Sequence, residues 1–297
     1  MKKQPLAEVF GFPINNLSKE AERYRKNKLC PFHNRVPSCT KNSATKPLGV
    51  CSIFYEKNTI VTCPIRFTEE WLITEQAAKF IFNKNIVEKG MWTTLREIKL
   101  VDANDKTAGN IDYVLVSYDE NGNLTDFGSL EVQAVYISGN ITNPFNYYME
   151  DRTNRTVFDW SKNKFFPRPD FLSSSRKRLV PQLVYKGGIF KSWNKKQCVV
   201  LQKGFFETLP KLPIVKNPEN ADFAWFIYDL KSNKNSDKLK LVLDDIVYTE
   251  FHPALNKILT PNAGKIESFV QELQSKLDNQ LDINSPDAPT LIDIISE

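Results

Sequence analysis

The chain has 297 residues, 41% of them hydrophobic and 25% charged, with a net charge of +5. That balance suits one large domain, or a main domain with an appendage, and excludes a chain too polar to bury a core. No apolar run reaches the roughly 18 residues of a membrane span, and the start MKKQPLAEVFGF lacks the long apolar stretch of a secretory leader, so no membrane association and a cytoplasmic location are expected.

In chain order, residues 16–29 (NLSKEAERYRKNKL) read as a short basic amphipathic helix, followed by a Pro- and Cys-punctuated stretch over 30–66. Residues 68–89 read as one helix, with Thr68 as cap, Trp71, Leu72, Ala78 and Phe82 on its apolar side and Gly90 as terminator. Strand-like runs follow at 92–101, 111–119, 124–138, 198–202, 223–230 and 239–251. A last helix is expected at 264–281, then an acidic tail of sixteen residues. This order predicts an α/β or α+β core built on a mixed sheet. Three regions are expected: a basic N-terminal segment (1–66), a main core (67–260) that includes a basic region at 151–204, and a C-terminal helix with its tail (261–297).

Charge is segregated along the chain: +8 over residues 1–66, −7 over 67–150, +10 over 151–204 and −6 over 205–297. A polyanion gripped on both sides of an acidic, metal-holding centre would produce that pattern, and so would chance segregation on a lysine-rich surface.

The run SLEVQAVYIS (129–138) sets two polar side chains, Glu131 and Gln133, on one face of a strand. Glu120-Asn121-Gly122-Asn123 before it carries the signal of a two-residue hairpin loop. With Asn121 and Gly122 as the loop, opposed residues sum to 243, so Asp112 faces Glu131. Two carboxylates roughly 5 Å apart repel by about 3 kcal/mol at an effective dielectric near 20. A shared proton, a basic side chain or a divalent cation must compensate, and hard oxygen ligands on neighbouring strands suit Mg²⁺. Glu97, on the preceding run, is a candidate third acid.

Four of the five cysteines, Cys30, Cys39, Cys51 and Cys63, lie within 34 residues, with 8, 11 and 11 residues between them. No CxxC knuckle is present, and a cytoplasmic setting disfavours two disulfides. Four thiolates around one ion suit zinc or iron. His33 could replace one ligand, or all four could be buried thiols. Cys198, in QCVVLQ, reads as a buried strand residue. With only His33 and His252 in the chain, an HNH or histidine-triad mechanism is not expected, and no Ser-His-Asp arrangement or P-loop occurs.

Asp112 followed by Glu131-Val132-Gln133 on the next strand resembles the PD-(D/E)xK nuclease core in its E-x-Q variant. Together with LCPFHNRVPSC, PLGVCSIF, TCPIRF and FLSSSRKRLVPQLVYKGGIF, the chain resembles the NotI family of type II restriction endonucleases over most of residues 20–230. The resemblance implies site-specific, Mg²⁺-dependent hydrolysis of phosphodiesters in double-stranded DNA, with Asp112 and Glu131 as metal ligands and Gln133 beside them; Glu97 stays the candidate third catalytic acid from its place on the preceding run. It implies a single iron, or zinc, in the four-cysteine segment, and functional pairing with a protective DNA methyltransferase. Two departures from the wider superfamily stand out. Gln133 replaces the usual lysine, and a neutral amide can only orient water. Asn110-Ile111 stands where a proline would precede the aspartate.

The basic region gathers Arg and Lys among Trp160, Phe165, Phe166, Phe171 and Trp193. Ser173, Ser174, Ser175, Arg176, Lys177, Arg178, Gln182 and Lys186 are the candidate DNA contacts. Arg176, Arg178 and Gln182 are the candidate base readers, since Arg suits guanine and Gln adenine. A palindromic target would demand a homodimer with one active centre per strand. Two alternatives remain open: a non-catalytic, metal-stabilised DNA-binding protein, and a repair or recombination nuclease on the same core.

Overall fold

The computed structural model describes residues 3–43, 45–232, 238–260 and 262–281, so the expected acidic tail lies outside the described residues. Residues Met1–Leu259 form one compact unit and Thr260–Glu297 another.

The chain begins with β1 (Leu6–Val9) and β2 (Phe12–Pro13), which reverse at Gly11, whose φ is +84°. Helix α1 (Lys19–Lys26) follows; the Ser18 hydroxyl accepts from the Ala21 N–H, and acids precede bases along it, matching the helix dipole. Then β3 (Val50–Tyr55) and β4 (Asn58–Val61) complete a four-stranded sheet in the order β2-β1-β3-β4.

The single helix expected over 68–89 is three pieces: a 3₁₀ segment (Pro64–Trp71), α2 (Leu72–Ile81) and α3 (Lys84–Glu88). Thr68 does not cap. Its buried hydroxyl donates to the carbonyls of Phe32 and Ile65, and the chain kinks after it, with positive φ at Glu70 and Trp71. The second break comes where the Asn83 side chain accepts from the Ile86 N–H and starts a new helix. Gly90 does terminate α3, in the left-handed conformation.

The main sheet follows. Strands β5 (Trp92–Val101), β6 (Thr107–Tyr118) and β7 (Leu124–Val132) form an antiparallel meander. A short pair, β8 (Tyr136–Ser138) with β9 (Arg168–Asp170), brackets α4 (Thr142–Glu150). Next come α5 (Phe171–Ser174), a π turn (Ser175–Leu179) and α6 (Val180–Ser192). Pro181 has no N–H for the i−4 carbonyl, and the Val180 N–H reaches back five residues to Ser175, which accounts for the wide turn. Strand β10 (Gln197–Gln202), the short α7 (Lys203–Phe206), β11 (Phe223–Ser232), β12 (Leu239–Thr249) and α8 (Phe251–Leu259) close the unit. The six-stranded order is β12-β11-β10-β7-β6-β5, with β10 parallel to both neighbours. This is the mixed sheet and mixed α+β composition expected.

Strand β10 is wholly buried and shows how the layers divide. Val199 and Leu201 face one cluster with Leu179, Leu183, Trp225 and Phe251, while Cys198 and Val200 face another with Ile73, Ala77, Leu115 and Phe226. Leu6, Val50 and Ile53 belong to the first cluster, so residues 1–66 share the main core instead of folding apart from it. Helix α9 (Ile266–Leu281) belongs to the second unit. No helix among the described residues is long and apolar enough to cross a membrane.

Candidate active site

The β6–β7 hairpin keeps the expected register by an unexpected route. The pairs Tyr113–Leu130, Leu115–Gly128 and Ser117–Asp126 all sum to 243. Asp119 and Asn123 close the loop instead, so it holds three residues, Glu120, Asn121 and Gly122, and Tyr118 pairs with Leu124. One irregularity between Ser117 and Tyr118 then restores the count. Asp112 therefore stands opposite Glu131, one step beyond Tyr113–Leu130.

One of the three possible compensations, a basic side chain, is present at this pair, and burial adds to it by disfavouring charge on both carboxyls. Burial, and then the Asp112 charge, push the Glu131 pKa up to about 8; burial likewise raises Asp112, against the pull of the Val132 N–H that donates to it at 2.8 Å. The basic side chain is Lys186 of α6. Its Nζ donates to both Glu131 oxygens at 2.9 Å and to the Asn110 carbonyl, and lies 3.5 Å from Gln182 Oε1.

Lys186 corrects one expectation. It is 6% exposed and bound to the carboxylate, so it is not available as a phosphate contact. The sequence held a signal: Leu179, Leu183, Lys186 and Phe190 recur at helical spacing, and all four are buried. A lysine on an apolar stripe needs a buried partner.

Gln133 lies just past the end of β7, its N–H still donating to the Val200 carbonyl. It is 8% exposed, and its amide nitrogen donates to the Ala134 carbonyl at 2.6 Å. Glu97 falls opposite Asp112 by the count of β5 on β6, between the pairs Arg96–Tyr113 and Ile98–Ile111. It is exposed with φ +55°, which breaks the pleat there. Among the described residues no group of three or more acids, cysteines or histidines is close enough to hold a metal ion, so Glu97 does not join the pair as a third ligand in this arrangement.

A cleft of about 600 Å³ opens onto this edge, lined by Asp112, Gln133, Tyr136, Arg178, Gln182, Lys41 and Cys63 among others. Arg178, on the π turn, lies 3.4 Å above the Tyr136 ring. Arg176 and Lys177 are exposed on the same turn and form no ion pair among the described residues. The serines divide. Ser174 is fully buried, its hydroxyl donating to the Asp170 carbonyl and accepting from the Tyr136 N–H, so it ties α5 to β8 and is withdrawn as a DNA contact. Ser173 gives its N–H to the Asp170 cap, and Ser175 donates its hydroxyl to the Leu172 carbonyl. Much of the basic region is spent internally: Arg152 on Glu22, Lys191 on Asp222 and Lys195 on Asp126.

The four cysteines arrive as two pairs. A bridge between Leu29 and Ser38 sets Cys30 beside Cys39, and the β3–β4 pairing sets Cys51 beside Thr62 and Cys63. Cys39, Cys51 and Cys63 are buried and Cys30 is half-buried. Burial pushes Cys30 up to about 12 and raises Cys39 and Cys51, and the thiols add to one another's shifts, which marks them as electrostatic neighbours. The donor chemistry fits a thiophilic ion, although no three of these sulfurs close around one point as they stand. Lys41 is beside them, its Nζ donating to the carbonyls of Val50 and Thr62. His33 Nδ1 accepts from the N–H groups of Arg35 and Val36, a local turn.

No curated protein matches the chain. The family model described as restriction endonuclease NotI matches residues 9–241, which span the cysteine pairs, the β6–β7 hairpin and α6. The chain therefore belongs to the NotI restriction endonuclease family, whose members are DNA nucleases.

Proposed function

We propose that the protein is a Mg²⁺-dependent, type II site-specific deoxyribonuclease on a PD-(D/E)xK core, with Asp112 and Glu131 as its metal ligands. The observation that carries this reading is a facing carboxyl pair, Glu131 buried and Asp112 half-buried on the wall of a cleft shared with Arg178 and Gln182. The pair suits a divalent cation because two facing carboxyls on neighbouring strands offer it hard oxygen ligands once deprotonated. When bound, Mg²⁺ supplies polarisation of the phosphate and a lowered pKa for the attacking water. The Val132 N–H holds one oxygen of Asp112, fixing the carboxylate for that role. Gln133 commits its amide nitrogen to Ala134, leaving its oxygen to orient a water by accepting a hydrogen bond from it.

Ser173, Ser175, Arg176 and Lys177 contact the DNA backbone in this reading, and Arg178 and Gln182 read bases. A two-fold dimer would put one centre on each strand, and a methyltransferase would protect the host's own sites. The four cysteines would hold one iron or zinc, with the Lys41 ammonium offsetting the net negative charge of four thiolates and a divalent ion. That ion would fix the two loop pairs beside the cleft.

Incubation of plasmid or phage DNA with the protein and Mg²⁺ should give discrete fragments whose ends share one sequence. Absence of fragments at any Mg²⁺ concentration, with DNA still bound, would leave the non-catalytic alternative in place. Cutting confined to branched or mismatched DNA would select the repair nuclease instead.

A further inference from the structure

The charge missing from position 133 has a counterpart one helix away. Lys186 projects from the apolar stripe of α6 onto Glu131, between Leu183 and Phe190. Its Nζ is surrounded by oxygens alone: both oxygens of Glu131, the Asn110 carbonyl and, at the edge of reach, Gln182 Oε1. A ring of carboxylate, carbonyl and amide oxygens is also the ligand chemistry of a hard divalent cation. Lys186 and Glu131 are about equally buried, so water screens their attraction little. Gly109 has φ +106°, a conformation that favours glycine, and a Cβ built there would meet the Lys186 stem at 3.4 Å, ordinary van der Waals contact.

We propose that Lys186 is an internal counter-ion that competes with the divalent cation for Glu131. The inference rests on the metal-site reading given above. Both Glu131 oxygens are taken by the ammonium, and a cation that binds Glu131 must displace it from at least one. The lysine stem has four rotatable bonds, so the ammonium can withdraw into the cleft without moving α6. By linkage, whatever strengthens the Lys186–Glu131 contact weakens cation binding by the same factor, and the reverse. Lys186 thereby sets how much divalent cation the enzyme requires. It is a positioning residue: it touches a ligand of the reaction's metal, not the reacting atoms.

The test uses Ca²⁺ as probe, measured by calorimetry on the full chain without DNA. Lys186→Met, which keeps the stem and removes the charge, should bind Ca²⁺ at least about five-fold more tightly than the parent. Equal or weaker binding overturns the proposal. A second measurement needs no variant and so survives a Lys186→Met protein that fails to fold. Amine labelling of the parent, read by mass spectrometry, should leave Lys186 unmodified without Ca²⁺ and modify it with Ca²⁺. Labelling that ignores Ca²⁺ also overturns the proposal. A parent that cuts no DNA with Mg²⁺ sinks the nuclease reading, whereas Ca²⁺ affinity indifferent to Lys186 sinks this inference alone.

Discussion

The carboxylate pair and the cysteine cluster are both gatherings of ionisable groups inside one core, yet they are balanced in opposite ways. Asp112 and Glu131 carry charge at neutral pH unless something intervenes, and the fold supplies burial, which raises both pKa values, and Lys186. The four thiols are neutral when protonated, and burial keeps Cys30, Cys39 and Cys51 so. They need no counter-charge, and the nearby Lys41 spends its hydrogen bonds on backbone carbonyls and the Thr62 hydroxyl instead. A carboxylate pair announces its function by demanding compensation, whereas a thiol cluster is silent until an ion deprotonates it.

The largest expected effect falls on the carboxylate side. Asp112→Asn should lower DNA cutting by roughly 10²–10³-fold or more while binding to DNA in Ca²⁺ persists, checked by cleavage rate and gel shift. Retained cutting would remove the contrast by making the pair as silent as the thiols. On the cysteine side, elemental analysis of freshly purified protein should find one iron or zinc per chain. Cys51→Ser should abolish it and Cys198→Ser leave it intact. No stoichiometric ion in the parent would reduce the cluster to packing.

Smaller effects sharpen the comparison. Glu8 and Arg66, both with fully buried side chains, form an ion pair at 3.2 Å next to the β3 strand that carries Cys51, and Ser52 also donates to Glu8. Glu8→Ala should cost about 3 kcal/mol in urea denaturation, because the buried Arg66 loses one of its two carboxylates and keeps only Glu69 as an ion-pair partner. Arg178→Ala should weaken binding to the target by about 1–3 kcal/mol and relax one position of the sequence, whereas Lys177→Ala should weaken all DNA alike and lower the salt dependence. Last comes pH. Glu131 has its pKa raised from 4.5 to about 8, so the folded chain keeps a proton that the unfolded chain releases. Its contribution to stability is therefore complete below about pH 4.5 and lost as pH rises to about 8. The urea midpoint should fall across that window, and Glu131→Gln should flatten the fall.

Local chemistry made much of this legible before any fold was in view. The strand at 92–101 and the facing of Asp112 on Glu131 follow from side-chain alternation and turn residues. The facing survived because two departures cancel, a loop one residue longer than expected and an irregularity beside it. The helix at 68–89 misled because Thr68 and Asn83 bond in ways that apolar periodicity does not register: one is drawn inward to Phe32, the other restarts the helix. Lys186 was assigned to DNA because a basic stretch reads as surface, and its destination depends on how α6 packs across the sheet, which is tertiary information.

The π turn at Ser175–Leu179 carries a further consequence. It acts as a phase shifter: the wide turn carries Arg178 and sets its angular offset from Lys186, which follows on α6. Deleting a single residue there would restore α-helical winding and swing one group about 100° relative to the other. On the roles proposed for Arg178 and Lys186, target reading and metal control would be geared together through one backbone irregularity, and a one-residue length change in this turn would uncouple them at a stroke.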